Sequence, residues 1–165
     1  MKNQPFLLFC YIVVSVFIAM VLFLIPPPTW AIWFKPPWVE LIIFFWILYY
    51  PDKFNLISAW FIGLIIDVLN NSPLGEHALV LIIATYFVRR FYQQLQMFPL
   101  WQQSAAISFI VLFHQALLFW IQNLLGQPAS WVMWCPPALS LLFWPLIVTS
   151  FNHVLKNSRS AMRYH

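Results

Sequence analysis

Residues 6–25 read FLLFCYIVVSVFIAMVLFLI, twenty positions without one charge. A bilayer core about 30 Å thick needs about 20 helical residues per crossing, so this run alone is enough for a span. Lys2 precedes it and Pro26-Pro27-Pro28 closes it. A secretory leader has a shorter apolar stretch of about 7–15 residues that ends in small side chains. The proline ending therefore predicts an uncleaved first span.

The remainder of the chain has the same character. It is 63% hydrophobic and 7% charged, whereas soluble domains carry roughly 25% charged residues. Eight basic and four acidic side chains give a net charge of +4. They are scattered, and nucleic-acid binding needs them clustered on one surface. An aromatic content of 20% excludes a disordered chain. Six crossings would use about 120 of the 165 residues, which leaves loops and tails but no soluble domain. The whole chain, residues 1–165, is expected to form one polytopic membrane domain. Cys10 and Cys135 make neither a disulfide framework nor a metal spacing.

The 13 prolines mark the connections, because proline breaks helix interiors and is accepted at first turns and in loops. Between them lie six apolar segments, at about Phe6–Ile25, Trp38–Tyr50, Phe54–Asn70, His77–Tyr92, Ser104–Leu125 and Pro137–Leu155. The second is short unless Pro36 and Pro37 form its first turn. Pro145 alone falls inside a segment and should kink it. Transmembrane strands alternate apolar and polar residues, and Leu41-Ile42-Ile43-Phe44-Phe45-Trp46 does not. The expected fold is a compact, all-α bundle of six transmembrane helices.

The positive-inside rule orients it. With both termini cytoplasmic, Lys2, Lys53, Arg89, Arg90, Lys156, Arg159 and Arg163 lie inside and only Lys35 outside. Indole rings favour the headgroup layer, and Trp30, Trp33, Trp38, Trp131 and Trp134 all belong to the two outer connections.

Polar groups within the apolar segments are few. Asp67 follows Phe54 by 13 positions, about 20 Å along the third helix and past the midplane. A carboxylate at such a depth is costly. It either contacts an ion, proton or substrate, or ties the helix end to Asn70, Ser72 or His77 in the outer connection. Asn70 to His77, with Ser72-Pro73 and Gly75, is turn chemistry. Glu76 and His77 alone are too few donors to define a metal site. On the fifth segment Ser104, Ser108, Gln115 and Gln122 lie within about 40° of one another. Such a stripe packs inside the bundle, or meets a partner helix, or lines a pocket. His114 sits about 100° away and reads as a pairing group. Arg89–Gln103 is the long inner connection, with Phe91, Leu95 and Phe98 spaced as an amphipathic surface helix. The basic tail should favour anionic headgroups. No nucleophile elbow, metal-protease or phosphate-loop motif occurs. No catalytic residue, cofactor or metal is expected.

Several short stretches occur in order: Phe34-Lys35-Pro36-Pro37-Trp38-Val39, Trp46-Ile47-Leu48 before Pro51, and Phe61-Ile62-Gly63-Leu64 with Asp67. Ser72-Pro73-Leu74-Gly75 and Leu100-Trp101-Gln102-Gln103 follow. Together residues 34–103 resemble the bacterial MreD family of rod shape-determining membrane proteins, departing at Pro37, where that pattern more often has Asp or Asn. The resemblance singles out Pro36, Trp38, Gly63, Asp67, Ser72 and Gly75. It implies a non-enzymatic component of the cell-wall elongation machinery in the bacterial cytoplasmic (inner) membrane. The partners it implies are an MreC-like periplasmic scaffold, an actin-like MreB cytoskeleton, and a RodA-type glycosyltransferase with its transpeptidase. The six-helix arrangement is also similar to the vitamin-binding subunits of energy-coupling transporters. That leaves a small-molecule binding subunit, with a pocket around Asp67, Glu40 and the outer tryptophans, as the alternative.

Overall fold

A computed structural model describes residues 4–26, 36–126 and 134–161, with side chains over 7–26, 36–126 and 134–153. Among these residues it holds seven α-helices. They are α1 (Gln4–Leu24), α2 (Trp38–Tyr49), α3 (Leu56–Asn70), α4 (Glu76–Arg90), α5 (Tyr92–Met97), α6 (Leu100–Leu124) and α7 (Cys135–Ala161). Lys2, Trp30, Trp33, Lys35, Trp131 and Arg163, assigned above to one face or the other, lie outside the described residues.

Proline sets several of the helix ends. Pro37 precedes α2 and its carbonyl accepts from Leu41 N–H at 3.0 Å. Pro99 precedes α6 in extended backbone, and its carbonyl accepts from Gln103 N–H at 3.0 Å. This cap starts α6 at Leu100, four residues before the expected Ser104. Pro136 and Pro137 sit in the first turn of α7, where their missing N–H groups leave no intrahelical bond unmade. Pro145 lies within α7, and Thr149 Oγ1 donates to its carbonyl at 2.8 Å.

Beyond Glu40 in its first turn, helix α2 is apolar on every side, and nine of its twelve residues are buried. A helix without a polar face must be enclosed, and α1, α4, α5 and α7 all pack against it. α1 meets it along Ile12, Ser15, Val16 and Ala19, one helical face. The opposite face of α1, with Phe9 and Phe17 more than 60% exposed, points away from the bundle. α3, α6 and α7 likewise turn large apolar side chains outward, among them Ile57, Phe109 and Leu142. A soluble monomer rarely bares so much apolar surface; in lipid it is ordinary.

Among the described residues, only α1, α6 and α7 are both long and apolar enough to cross a membrane. At about 1.5 Å per residue, α2 spans roughly 18 Å and α3 and α4 roughly 22 Å, short of a 30 Å core. The inner connection also differs from the expected surface helix. It is the six-residue α5, turned so that Leu95 enters the core at 4% exposure while Phe91 and Phe98 stay 43% exposed.

α3 and α4 form the most closely packed helix pair. At their crossing Gly63 abuts Ala78, and a Cβ at Gly63 would stand 2.3 Å from Ala78 Cα and 2.8 Å from its N. Small residues at crossings let membrane helices approach backbone to backbone. Gly63→Ala should force the pair apart and cost about 2–3 kcal/mol. Thermal unfolding in detergent, followed by circular dichroism, should show a clearly lowered midpoint. An unchanged midpoint would mean that the helices are not held this closely.

Candidate functional site

The α3–α4 connection is built around one carboxylate. α3 ends on Asn71 in the left-handed conformation (φ 52°), which Asn tolerates better than most residues. The chain then turns through Ser72, Pro73 and Leu74 to Gly75 at φ 101°, a backbone angle natural to glycine. These turns fold the first amides of α4 back over Asp67, which is fully buried. Gly75 N–H donates to Asp67 Oδ2 at 2.8 Å, and His77 N–H donates to Oδ1 at 2.8 Å. Ser72 Oγ donates to Oδ1 at 3.2 Å, and His77 Nδ1 lies 2.9 Å from the same oxygen. Ser72 N–H closes the turn on the Asp67 carbonyl at 3.0 Å. Asp67 thus caps the N-terminus of α4 from another helix, with its negative charge at the positive end of the helix dipole.

Beside this knot, Glu76 in the first turn of α4 is 4% exposed, and Gln122 Nε2 of α6 donates to its Oε1 at 2.7 Å. Further along α6, buried His114 holds Nδ1 3.8 Å from Oε1 of Glu40 in the first turn of α2. Three of the four carboxylates of the chain therefore sit at the starts of α2 and α4 and the end of α3, each against a neighbouring element. Trp38 begins α2 and stacks edge-on against Phe143 of α7, ring centroids 5.0 Å apart. Pro36 is buried just ahead of it.

Part of the stripe on α6 bonds to neighbouring helices. Ser104 is buried and donates to Leu100 O at 2.7 Å, and Gln115 is buried at 9% exposure. Ser108 Oγ donates to the Pro137 carbonyl on α7, which also accepts from Ser140 Oγ, and Gln122 serves Glu76. Two of the four, Ser108 and Gln122, thus bond across to α7 and α4.

A second polar centre was not foreseen from the sequence. Gln103, 2% exposed, accepts at Oε1 from Trp144 Nε1 (2.9 Å) and Tyr49 O–H (3.4 Å), and its Nε2 donates to Leu95 O (3.1 Å). One amide joins α2, α5, α6 and α7. Gln96 Nε2 adds a bond to Leu48 O, fixing α5 under α2. On the other side of α2, Trp46 Nε1 donates to Ser15 Oγ of α1 at 2.8 Å. The available signals were a glutamine pair opening an apolar segment and tryptophans within apolar segments.

The described geometry is that of an all-helical membrane protein with polar centres at Asp67 and Gln103 that bond neighbouring helices together. Residues 4–154 match the family model for rod shape-determining protein MreD. Rod shape-determining protein MreD of Haemophilus influenzae is 33% identical, over 78% of this chain and 87% of that protein. No solved structure matches. The chain belongs to the MreD family, and so is a rod shape-determining component and not an enzyme.

Two outcomes follow for the polar centres. Asp67 uses both oxygens as acceptors, so Asn keeps the bonds at Oδ1 but turns an NH2 against Gly75 N–H. Asp67→Asn should cost about 1–2 kcal/mol and Asp67→Leu, which strands every donor, about 3 or more. Thermal midpoints in detergent should fall in that order; equal loss for both would mean that the charge itself is required. Gln103→Leu should destabilise by about 2–4 kcal/mol, since three buried groups lose their partner, and Trp144→Phe by about 1. Because both remove one shared bond, the double variant should lose less than the sum of the two. Strict additivity would refute the shared bond.

Proposed function

We propose that the chain forms one polytopic domain over residues 1–165 that crosses the bacterial inner membrane six times with both termini in the cytoplasm. In that membrane it organises the wall-elongation machinery by contact. The reading rests above all on family membership. The geometry supports it in two ways. The long helices clothe the outside of the bundle in apolar side chains, which suits a lipid surround. The short α2 is enclosed by its neighbours, so its length need not match the bilayer. Six crossings put seven of eight basic residues on one side, which supports a cytoplasmic location for both ends.

The partners in this reading are an MreC-type periplasmic scaffold, an MreB-like cytoskeleton, and a RodA-type glycosyltransferase with its transpeptidase. With Asp67 and Gln103 bonded within the chain, the protein offers surfaces, not a reaction centre. The test is depletion from its own rod-shaped host, with cell width followed by microscopy in minimal and rich media. Rods should widen and round in both media. Cells that keep their shape but need a nutrient would overturn the reading in favour of a ligand-binding transporter subunit.

A further inference from the structure

On the side of the bundle away from the Asp67 knot, a groove of about 600 Å³ opens between the last turn of α4, α5 and the first half of α6. Its floor along α6 is Ala106, Phe109, Ile110 and Phe113, residues spaced to share one face. Phe87 and Phe113 meet edge-on at 5.4 Å where the groove ends, and Phe91 and Phe98 wall its mouth. From Ala106 to Phe113 it runs about 10 Å along the helix.

The mouth has a different character. Arg89 and Arg90 close α4 there. Arg89 donates to Asn55 Oδ1 at 3.1 Å. Arg90 is exposed, lies 5.9 Å from the Phe91 ring centre, and makes no ion pair among the described residues. The Gln94 amide borders the same opening.

We propose that this groove seats one acyl chain of an anionic phospholipid from the inner leaflet, with the lipid phosphate held at Arg90. The leaflet rests on the membrane orientation proposed above; the groove and its cation do not. Charge complementarity selects this occupant. An apolar helix filling the groove would leave an arginine and an amide at its rim without an acid, whereas a phospholipid brings an apolar chain and a phosphate at once. Basic pockets between helices on the cytoplasmic side suit anionic headgroups, and guanidinium matches phosphate in two-point geometry. Ala106 provides the depth, since any larger side chain there fills the floor.

The experiment is native mass spectrometry of the full chain in detergent, titrated with phosphatidylglycerol and with phosphatidylcholine of the same acyl chains. The wild type should retain phosphatidylglycerol about fivefold better. Arg90→Gln, an exposed change that should leave folding intact, should abolish the preference and leave phosphatidylcholine binding unchanged. Ala106→Leu should weaken both lipids. Equal retention of the two lipids by the wild type, or a preference that survives Arg90→Gln, would overturn the proposal. In cells, a photoreactive side chain at position 109 should crosslink to lipid; a discrete protein adduct there would overturn it too. Labelling of Gln93→Cys from the outer side only would sink the leaflet and the six-crossing orientation together. The detergent titration reads the groove independently of that.

Discussion

Helix α2 has no side that can face water and almost none that faces lipid, and the placement of the other helices follows from that. Its run from Leu41 to Leu48 is buried without interruption. Such a helix is stable only when enclosed, and enclosure by α1, α4, α5 and α7 determines which helices are neighbours. Apolar contact alone would hold them loosely, because lipid tails offer much the same contact and no hydrophobic force drives helices together in a bilayer. Specific pairing has to come from close shape and from polar groups that find partners nowhere else.

The chain supplies both, in separate places. Shape acts at Gly63 and Ala78, where a missing side chain lets α3 lie directly on α4. Polar bonding acts at each end of the bundle. Asp67 joins the end of α3 to the start of α4, and Gln103 joins α2, α5, α6 and α7. The two centres obey one rule: a polar group without water must be satisfied within the protein. Two of the four groups on Asp67 are backbone amides that any turn of that form would present, and the other two are side chains of the same turn. The donors on Gln103 are side chains brought from distant sequence. The knot is therefore local, and the glutamine hub forms only once the helices have assembled.

That difference explains what could be read from the sequence. Helical class, the apolar segments and the proline-marked connections follow from hydropathy and backbone chemistry, which are local. Asp67 with Ser72, Gly75 and His77 lies within ten residues, so the tie in the connection was visible as one of two readings. The stripe on α6 was visible as a face, but which neighbour it meets depends on how α4 and α7 pack. Gln103 was visible only as a letter in a motif, since two of its three partners stand 41 and 54 residues away. The start of α6 was misplaced because Trp101, Gln102 and Gln103 look like loop residues. They are helical because Pro99 caps the helix and the bundle takes up the Gln103 side chain.

In the proposed role, where the protein works by contact, this distribution limits the chemistry that contact can use. Asp67 bonds within the chain, as do Ser108 and Gln122 of the α6 stripe, so in that role partners within the bilayer meet mainly apolar shape. α1 makes this plain: it leans on α2 through one face, is pinned there by the bond from Trp46 to Ser15, and bares the rest. Apolar shape is a weak discriminator unless position is precise, since lipid competes for every such surface. The bonds that orient the helices therefore also orient the bare faces. Loss of one buried hydrogen bond far from any partner would alter recognition by rotating a surface, with no contact residue changed.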